Sequence, residues 1–482
     1  MLATLISKAY TFPEMFDADI ISDDTEKLLM DEVEQQLLCK NFDYSANDSF
    51  PDILAIANDI IEWCRVKNDY YLYRALLCRL DTMINLDDII DTYDINLPCY
   101  SKEDNTDSFI SLNDNFNETK IFILPKVKSL KSYSLYKSGT TPNPRLNAHT
   151  WLDDLNNRIH NIYAVTLDSL CGFTPINVIC SIPEIKLEKE CIKIGITPVC
   201  NMHVDELLEF DYLTEKSSTS KHKGQFFQLK NILCENEIEK RIINSFNLAC
   251  NEECDIFIAP EMLATNKLVS VDDQGYNGLY SPNQSNNYTT PTLTLPPTRW
   301  ENKSNILSIF NNKGKLIAKQ HKQHRFTAKT KDGLKWKEYL ENTNKTITII
   351  HIPGWGRFCF PICIDYLVER YRHIMTEVLK ANFLLCPSFS FGEYNFNLSG
   401  DAEIEFEVRT VWVNSCSAIG EFKNSIDAVG IVSTPIVSTD RIQKITTNCL
   451  GKCNQPCLFI LKIPTNSYNQ EQNVNITHYY NH

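Results

Sequence analysis

The chain has 482 residues, of which 43% are hydrophobic, so it is long enough for two domains that each bury an apolar core. Its 47 basic and 61 acidic residues give a net charge of -14, which argues against a general phosphate-binding surface, so nucleic acid is not an expected partner. Its 18 cysteines are spread along the chain and often lie inside apolar runs, which is typical of free thiols in a reducing compartment.

The amino-terminal sequence shows neither a charged segment followed by a long apolar segment nor a small-residue cleavage site. No window reaches the roughly 20 apolar residues that a membrane-spanning helix needs. We therefore expect a cytoplasmic protein that does not insert into a membrane.

The first part of the chain has a helical pattern. Between residues 24 and 94, apolar side chains recur at spacings of three and four residues, which predicts helical hairpins. The polar segment 101–118 follows as a loop or a domain boundary. A strand in KIFILP, residues 120–125, and a helix over residues 150–170 come next. These patterns predict a mainly helical accessory domain of unknown role over residues 1–185.

The second part of the chain, from residue 190 onward, has the pattern of buried strands alternating with helices such as EIEKRIINSFNLA and YRHIMTEVLKA. This alternation is typical of a layered α/β domain, which we assign to residues 190–482. The polar, proline-containing block 276–297 predicts a long surface loop. Strands are predicted in the runs IKIGITPV, DIFIAP, NILSIFN, TITIIHI, RFCFPIC, NFLLCPS, AVGIVSTPI and CLFILKI.

Three predicted strands lead into residues that can do chemistry. Glu261 follows the strand in DIFIAP, Lys322 follows the strand in GKLIAK, and Cys363 ends the strand in RFCFPIC. Strand ends are where α/β domains assemble their sites, and a carboxylate, an ammonium and a thiol together can perform covalent acyl transfer. Taken singly, Cys363 could be an inert buried thiol, Glu261 a helix cap and Lys322 part of a solvated basic face.

Taken together and in chain order, the segments APE, GKLIAKQHKQH and ICID resemble the Glu-Lys-Cys motifs of the nitrilase, or carbon-nitrogen hydrolase, superfamily. The segment LLCPSFSFG and a helix in EIEFEVRTVWVNSC also fit the family pattern, so the resemblance covers about residues 190–465. Two departures are the polar loop after Glu261 and the VRTVWVN segment, which contains Trp412.

The resemblance implies a four-layer α-β-β-α sandwich that forms a homodimer or a larger homo-oligomer. It implies that Cys363 attacks a carbonyl or nitrile carbon and that Glu261 accepts the thiol proton and later activates water. Lys322 and the backbone N–H of Ile364 would hold the oxyanion. The substrate would be a small-molecule amide or nitrile, with neither a metal nor an organic cofactor.

Further site residues are expected around these three. Family members often place a second glutamate between the lysine and the cysteine, and here Glu338 and Glu341 both qualify, with Glu338 at the more typical distance. Cys359 lies on the predicted strand of Cys363 and is expected only to fill space. We expect Asp365 to hold the loop after the nucleophile, and Arg357 could be a surface residue.

A separate cysteine cluster lies near the carboxyl end. Cys449, Cys453 and Cys457 are spaced by four residues and could bind zinc or an iron-sulfur cluster. Zinc prefers four ligands, and the downstream His478 and His482 fit no familiar spacing. A hairpin turn before the strand CLFILKI is the favoured interpretation.

These observations predict a cysteine-dependent hydrolase that cleaves a non-peptide carbon-nitrogen bond, in an amide or a nitrile, through a thioester intermediate. The alternative from another class is a non-catalytic ligand-sensing or scaffold protein built on a nitrilase-like domain. A third possibility is an effector in a microbial conflict, or anti-phage, system, which rests on analogy.

Overall fold

The protein is represented by a computed structural model. Its described residues divide into two compact units, one ending at Gly172 and the other beginning at Phe173. The model describes residues 28, 29, 31, 33, 35, 59, 70–82, 121–125, 155, 156, 159, 162–180, 191–199, 202–215, 224–271, 279–280, 289–329, 335–341, 345–352, 354–404, 406–420, 428–435, 441–446, 457–464 and 474–480.

The first unit contains helix α1 (Tyr70–Thr82) and the antiparallel strands β1 (Ile121–Pro125) and β2 (Ile162–Thr166). Helix α1 and strand β1 confirm the elements predicted there. The helix predicted over residues 150–170 is wrong where β2 lies, because that segment pairs with β1 instead. The remaining predicted helices of this part fall largely outside the described residues, and the mainly helical character of residues 1–185 stays a prediction.

The second unit is a mixed α/β structure with several sheets. Its helices are α2 (Val204–Leu207), α3 (Glu235–Asn251), α4 (Asn266–Val269), α5 (Ile364–Leu367), α6 (Glu369–His373), α7 (Tyr394–Ile404) and α8 (Cys416–Gly420). Its strands are β3 (Thr174–Ile179), β4 (Cys191–Ile196), β5 (Leu208–Glu215), β6 (Gly224–Ile232), β7 (Ile256–Ile258), β8 (Leu293–Leu295), β9 (Arg299–Glu301), β10 (Ser304–Asn311), β11 (Leu316–His321), β12 (Thr327–Lys329), β13 (Lys335–Glu338), β14 (Thr346–Ile352), β15 (Gly356–Cys359), β16 (Phe383–Pro387), β17 (Arg409–Val413), β18 (Ala428–Ser433), β19 (Ile442–Thr446), β20 (Cys457–Pro464) and β21 (Asn475–Tyr480).

These strands form three sheets among the described residues. One runs in the order β11-β10-β8-β7-β4-β20-β21, with β9 also paired to β10. A second runs β19-β18-β17-β16-β15-β14-β3. A smaller, four-stranded sheet runs β12-β13-β6-β5. Strand β3 begins at Thr174, so the α/β unit takes in residues that precede the boundary predicted at 185 to 190.

The first two sheets approach each other closely at Gly430 of β18. A Cβ atom added at Gly430 would lie 2.8 Å from Ile445 Cδ1 and 3.0 Å from Ile196 Cδ1, and Ile196 belongs to the other sheet. Helix α3 packs its apolar face on the sheet that contains β7 and β20. Helix α7 packs on the other sheet, where Phe396 stacks on Trp412 at 4.7 Å. The apolar core therefore lies both between and outside these sheets.

Three sequence predictions are wrong in detail. The block 276–297 is not a surface loop throughout, because its LTL segment is the buried strand β8, which pairs with β7 and β10. The helix expected in EIEFEVRTVWVNSC is the strand β17 over RTVWV, whose β-branched residues are buried in the sheet. Strand β15 ends at Cys359, four residues before Cys363. No helix among the described residues is long and apolar enough to span a bilayer.

Candidate active site

Glu261 lies just after β7, separated from it by Ala259 and Pro260, and its side chain is fully buried. One carboxylate oxygen, Oε1, accepts hydrogen bonds from Lys322 Nζ at 2.6 Å and Asn305 Nδ2 at 2.8 Å. The other, Oε2, accepts from the backbone N–H of Phe389 at 3.0 Å. Donors on both oxygens hold the carboxylate in one orientation.

Lys322 follows the last residue of β11 and is also fully buried. Besides its bond to Glu261, its Nζ lies 2.8 Å from Glu338 Oε2. Its backbone N–H donates to the carbonyl of Asn305 on the neighbouring β10 at 2.8 Å. The ammonium is thus clamped between two carboxylates.

Glu338, at the end of β13, is the second carboxylate of the site, and Glu341 is not. Glu338 is fully buried and also accepts a hydrogen bond from the backbone N–H of Phe326 at 3.0 Å. Glu341 pairs instead with Lys303 at 2.8 Å, with both side chains about half exposed. The register of β13 against β6 places Glu338 inward.

Cys363 lies in the turn between β15 and α5, at the amino-terminal cap of that helix. Its backbone has φ 49° and ψ −110°, which is costly for a residue with a Cβ. The prediction that Cys363 shares a strand with Cys359 is wrong, because the chain turns sharply after β15. Cys359 stays in the strand, where it is fully buried, as expected for a residue that fills space.

The charges of the cluster are interdependent. Burial disfavours the charged form of Lys322, but the carboxylates of Glu261 and Glu338 outweigh it and raise the pKa of the ammonium well above its ordinary value. Burial raises the pKa of Glu338, and Lys322 opposes that effect. Burial and then the charge of Glu261 raise the pKa of the Cys363 thiol well above its ordinary value, although Lys322 acts in the other direction. Cys363 is therefore a thiol near neutral pH, and it needs a base before it can attack.

Asp365 connects the loop after Lys322 to the turn that carries Cys363. Its buried carboxylate accepts hydrogen bonds from the backbone N–H groups of Gln323 at 3.0 Å and His324 at 2.7 Å. It also lies 2.9 Å from His324 Nδ1 and 3.4 Å from the backbone nitrogen of Ile362. The structural role predicted for Asp365 matches these contacts.

Asn305 is a site residue that the sequence reasoning missed. Its side chain donates to Glu261 and its carbonyl accepts from Lys322, so one buried residue fixes the relative position of both. The only signal was a polar residue at the start of the predicted strand NILSIFN, which also contains Ser308 and Asn311. Buried polar groups are usually hydrogen-bonded, and the amide nitrogen and backbone carbonyl of Asn305 are.

The other predicted residues are placed as follows. Ile364 begins α5, so its backbone N–H is among those that no carbonyl of that helix accepts. Arg357 is not a surface residue, since only 8% of it is exposed and its guanidinium donates to the carbonyl of Lys380. Among the described residues, no group of three or more His, Cys, Asp or Glu side chains could hold a metal. Cys449, Cys453 and His482 lie outside the described residues, so the metal question there stays open.

No protein-family model and no curated protein sequence matches the chain. Among solved structures, it is similar to a mutant amidase from Nesterenkonia sp. AN1 that carries the acetamide moiety of fluoroacetamide on its active-site cysteine, at 9% identity and a TM-score of 0.36, over 58% of this chain and 93% of that one.

It is also similar to a cysteine-to-alanine mutant of that amidase, described as from the nitrilase superfamily, at 9% identity and a TM-score of 0.35, over 59% of this chain and 95% of that one. The NitFhit protein of C. elegans is similar at 14% identity and a TM-score of 0.33, over 51% of this chain and 56% of that one.

Proposed function

We propose that this protein is a cysteine-dependent hydrolase that cleaves a non-peptide carbon-nitrogen bond, in an amide or a nitrile, through a thioester on Cys363. The observation that carries the proposal is the buried cluster in which Lys322 Nζ lies 2.6 Å from Glu261 and 2.8 Å from Glu338, next to a cysteine with a strained backbone. The four-layer α-β-β-α sandwich implied by the motifs is part of the same proposal.

Stability alone gives little reason for such a cluster. Removing three charges from water costs several kcal/mol for each ion, and well-packed apolar residues often stabilise a core equally well. A non-glycine residue with positive φ adds a further cost of about 1 to 3 kcal/mol. Features that destabilise the fold and converge on one thiol are typical of catalytic sites.

The proposed reaction has two halves, the formation of a thioester and its hydrolysis. A nitrile reaches the thioester through a thioimidate on Cys363, to which water adds with loss of ammonia, whereas an amide reaches it directly. Glu261 accepts the proton of Cys363 as Sγ bonds to the carbonyl carbon, and the oxyanion that forms is held by Lys322 and the N–H of Ile364. Collapse of this intermediate transfers the proton to the departing nitrogen and leaves a thioester. Water, deprotonated by Glu261, then attacks the thioester, and the acid and the thiol are released.

The test is ammonia release from a panel of simple amides and nitriles, measured together with thermal unfolding. Cys363→Ala, Lys322→Ala and Glu261→Ala should each lower turnover by several orders of magnitude, and the losses should not add, because all three disable one step. Lys322→Arg should also be inactive, since a guanidinium differs in shape and reach from an ammonium.

Cys359→Ala is the matched control, because it removes a buried thiol of the adjacent strand and should keep turnover. Activity retained by Cys363→Ala at wild-type stability would contradict the mechanism and would favour a ligand-sensing protein.

A further inference from the structure

The four-stranded sheet has one face that continues from the candidate active site to the surface. On β13, Trp336 and Glu338 alternate with Lys335 and Lys337, which are exposed. Glu338 is paired with Phe227 of β6, and Phe227 is paired with Tyr212 of β5. Because paired residues share a face of a sheet, these side chains lie on the face that carries the Glu338 carboxylate.

The residues on this face are aromatic, and their exposure increases away from the site. Glu338 is 0% exposed and Phe227 is 7% exposed, whereas Tyr212 at the far edge is 59% exposed. The rings of Tyr212 and Trp336 are in contact, with centroids 4.9 Å apart. Phe210 meets Phe227 edge to face at 5.7 Å. We refer to Phe210, Tyr212, Phe227 and Trp336 as the aromatic strip.

One end of the strip borders the apolar core of the α/β unit. Phe210 packs against the core cluster that contains Phe389, the residue whose backbone N–H binds Glu261. Phe391 packs edge to face on Phe389, with ring centroids 6.1 Å apart.

Apart from Glu338, the charged residues of this sheet lie on its opposite face. Among the paired, described residues of β5, β6, β12 and β13, Glu338 is the one charged residue on the face of the strip. Lys337 and Asp211 lie on the other face, and Lys230, which a β-bulge leaves unpaired, forms an ion pair with Glu209 on that face. A ligand lying along the strip would meet rings and methylene groups and would find no counter-ion.

We propose that the aromatic strip is the substrate-binding wall of the site, and that the substrate carries an extended apolar group, aromatic or long aliphatic, on its acyl side. This inference rests on the proposed function and names the substrate class. A small amide such as acetamide would leave the strip empty. The proposal places the apolar group on the acyl side because a nitrile carries its only substituent on the reacting carbon, and because the acyl side of an amide is the part that stays on Cys363 in the thioester.

The experiment measures how well two aldehydes protect Cys363 from iodoacetamide, with the alkylated peptide quantified by mass spectrometry on the full chain. An aldehyde adds reversibly to a thiol and places its side chain where the acyl group would lie. 3-Phenylpropanal should protect at a concentration about 10- to 100-fold lower than acetaldehyde, the ratio expected for burying a phenyl ring. Tyr212→Ala and Trp336→Ala should each reduce that ratio severalfold and leave protection by acetaldehyde unchanged.

Lys337→Ala, on the opposite face of β13, and Tyr394→Ala, an aromatic residue that is 71% exposed elsewhere, are the matched controls and should keep the ratio. Tyr212→Ala carries little folding risk because the side chain is mostly exposed.

Equal protection by both aldehydes would overturn this inference alone. Failure of both to protect Cys363 would overturn the proposed function and the inference with it. Tyr212→Ala could instead change the oligomeric state and leave the ratio of the two protecting concentrations unchanged. That result would assign the strip to contact between copies of the chain and would also overturn the inference.

Discussion

At the scale of single residues, the backbone of Cys363 stands out more than its side chain. Its φ of 49° lies in the region that glycine adopts without cost, yet a cysteine occupies it. The turn is held by hydrogen bonds from the N–H of Cys363 to the carbonyl of Pro387 and from the N–H of Tyr366 to the carbonyl of Cys363. These bonds fix the thiol in the turn before α5, in an orientation that a continuing strand would not allow.

This strain predicts a difference between two substitutions that both remove the thiol. Cys363→Gly should be more stable than Cys363→Ala by about 1 kcal/mol, because alanine keeps the Cβ clash and glycine does not. Chemical denaturation of the two variants measures the difference. Equal denaturation midpoints for Cys363→Gly and Cys363→Ala would show that the turn is unstrained.

At the scale of elements, β14 and β3 are joined by a side-chain contact as well as by their parallel ladder. His351 of β14 is fully buried, and its Nε2 lies 2.8 Å from Asn177 Oδ1 of β3. Burial, with a smaller effect of Arg357, lowers the pKa of His351 well below its ordinary value. The histidine therefore stays neutral in the folded protein at pH values where the unfolded chain takes up a proton.

This difference predicts that stability falls with acidity. Above the unfolded pKa of about 6.5, His351 is neutral in both states and does not change the free energy of unfolding. Below it, the unfolded chain binds a proton that the folded protein does not, so the free energy of unfolding falls, by about 2 kcal/mol at pH 5. Between pH 7 and pH 5, the free energy of unfolding of His351→Gln should therefore fall by about 2 kcal/mol less than that of the wild type. A wild-type pH dependence in His351→Gln would refute this origin of the effect.

Hydrogen bonds of one side chain also join two loops of the candidate site. Asp365 joins the segment after β11, which carries Lys322, to the segment after β15, which carries Cys363. These segments are about 40 residues apart in the sequence, and a buried carboxylate with several N–H donors connects them.

At the scale of the whole molecule, the position of β3 determines where the α/β unit can be separated. A chain that begins at Phe173 keeps β3 and should unfold like the α/β unit of the full-length protein. A chain that begins at Glu190, near the boundary suggested by the sequence, lacks β3 and leaves β14 without the partner to which six of its residues are paired. Its unfolding free energy should be lower by more than about 3 kcal/mol, at roughly 0.5 to 1.5 kcal/mol for each lost hydrogen bond. Calorimetry of the two chains decides, and equal stabilities would contradict the assignment of β3.

Assembly is a second property at this scale. The motifs imply a homodimer or a larger homo-oligomer, and this stays a prediction. The protein's mass in solution, measured by light scattering, is the observation that tests it.

The sequence by itself determined the strands that precede Glu261 and Lys322, whereas the turn that carries Cys363 was not visible in it. A strand buried on both faces is a short run of apolar residues, so a reactive residue that directly follows such a run can be recognised from the sequence. The strands β4, β7, β10, β14, β16, β18 and β20 were predicted for this reason.

Only the tertiary structure decided which polar residues join them. Glu338 was preferred to Glu341 by the pairing of β13 with β6, and these strands are more than a hundred residues apart in the sequence. Asn305 resembled an ordinary polar interruption of a strand until β10 was placed beside β11. The aromatic strip is assembled from β5, β6 and β13 in the same way. Local patterns depend on whether a residue is buried, whereas a site depends on which distant strands are neighbours, and that is determined by packing across the whole domain.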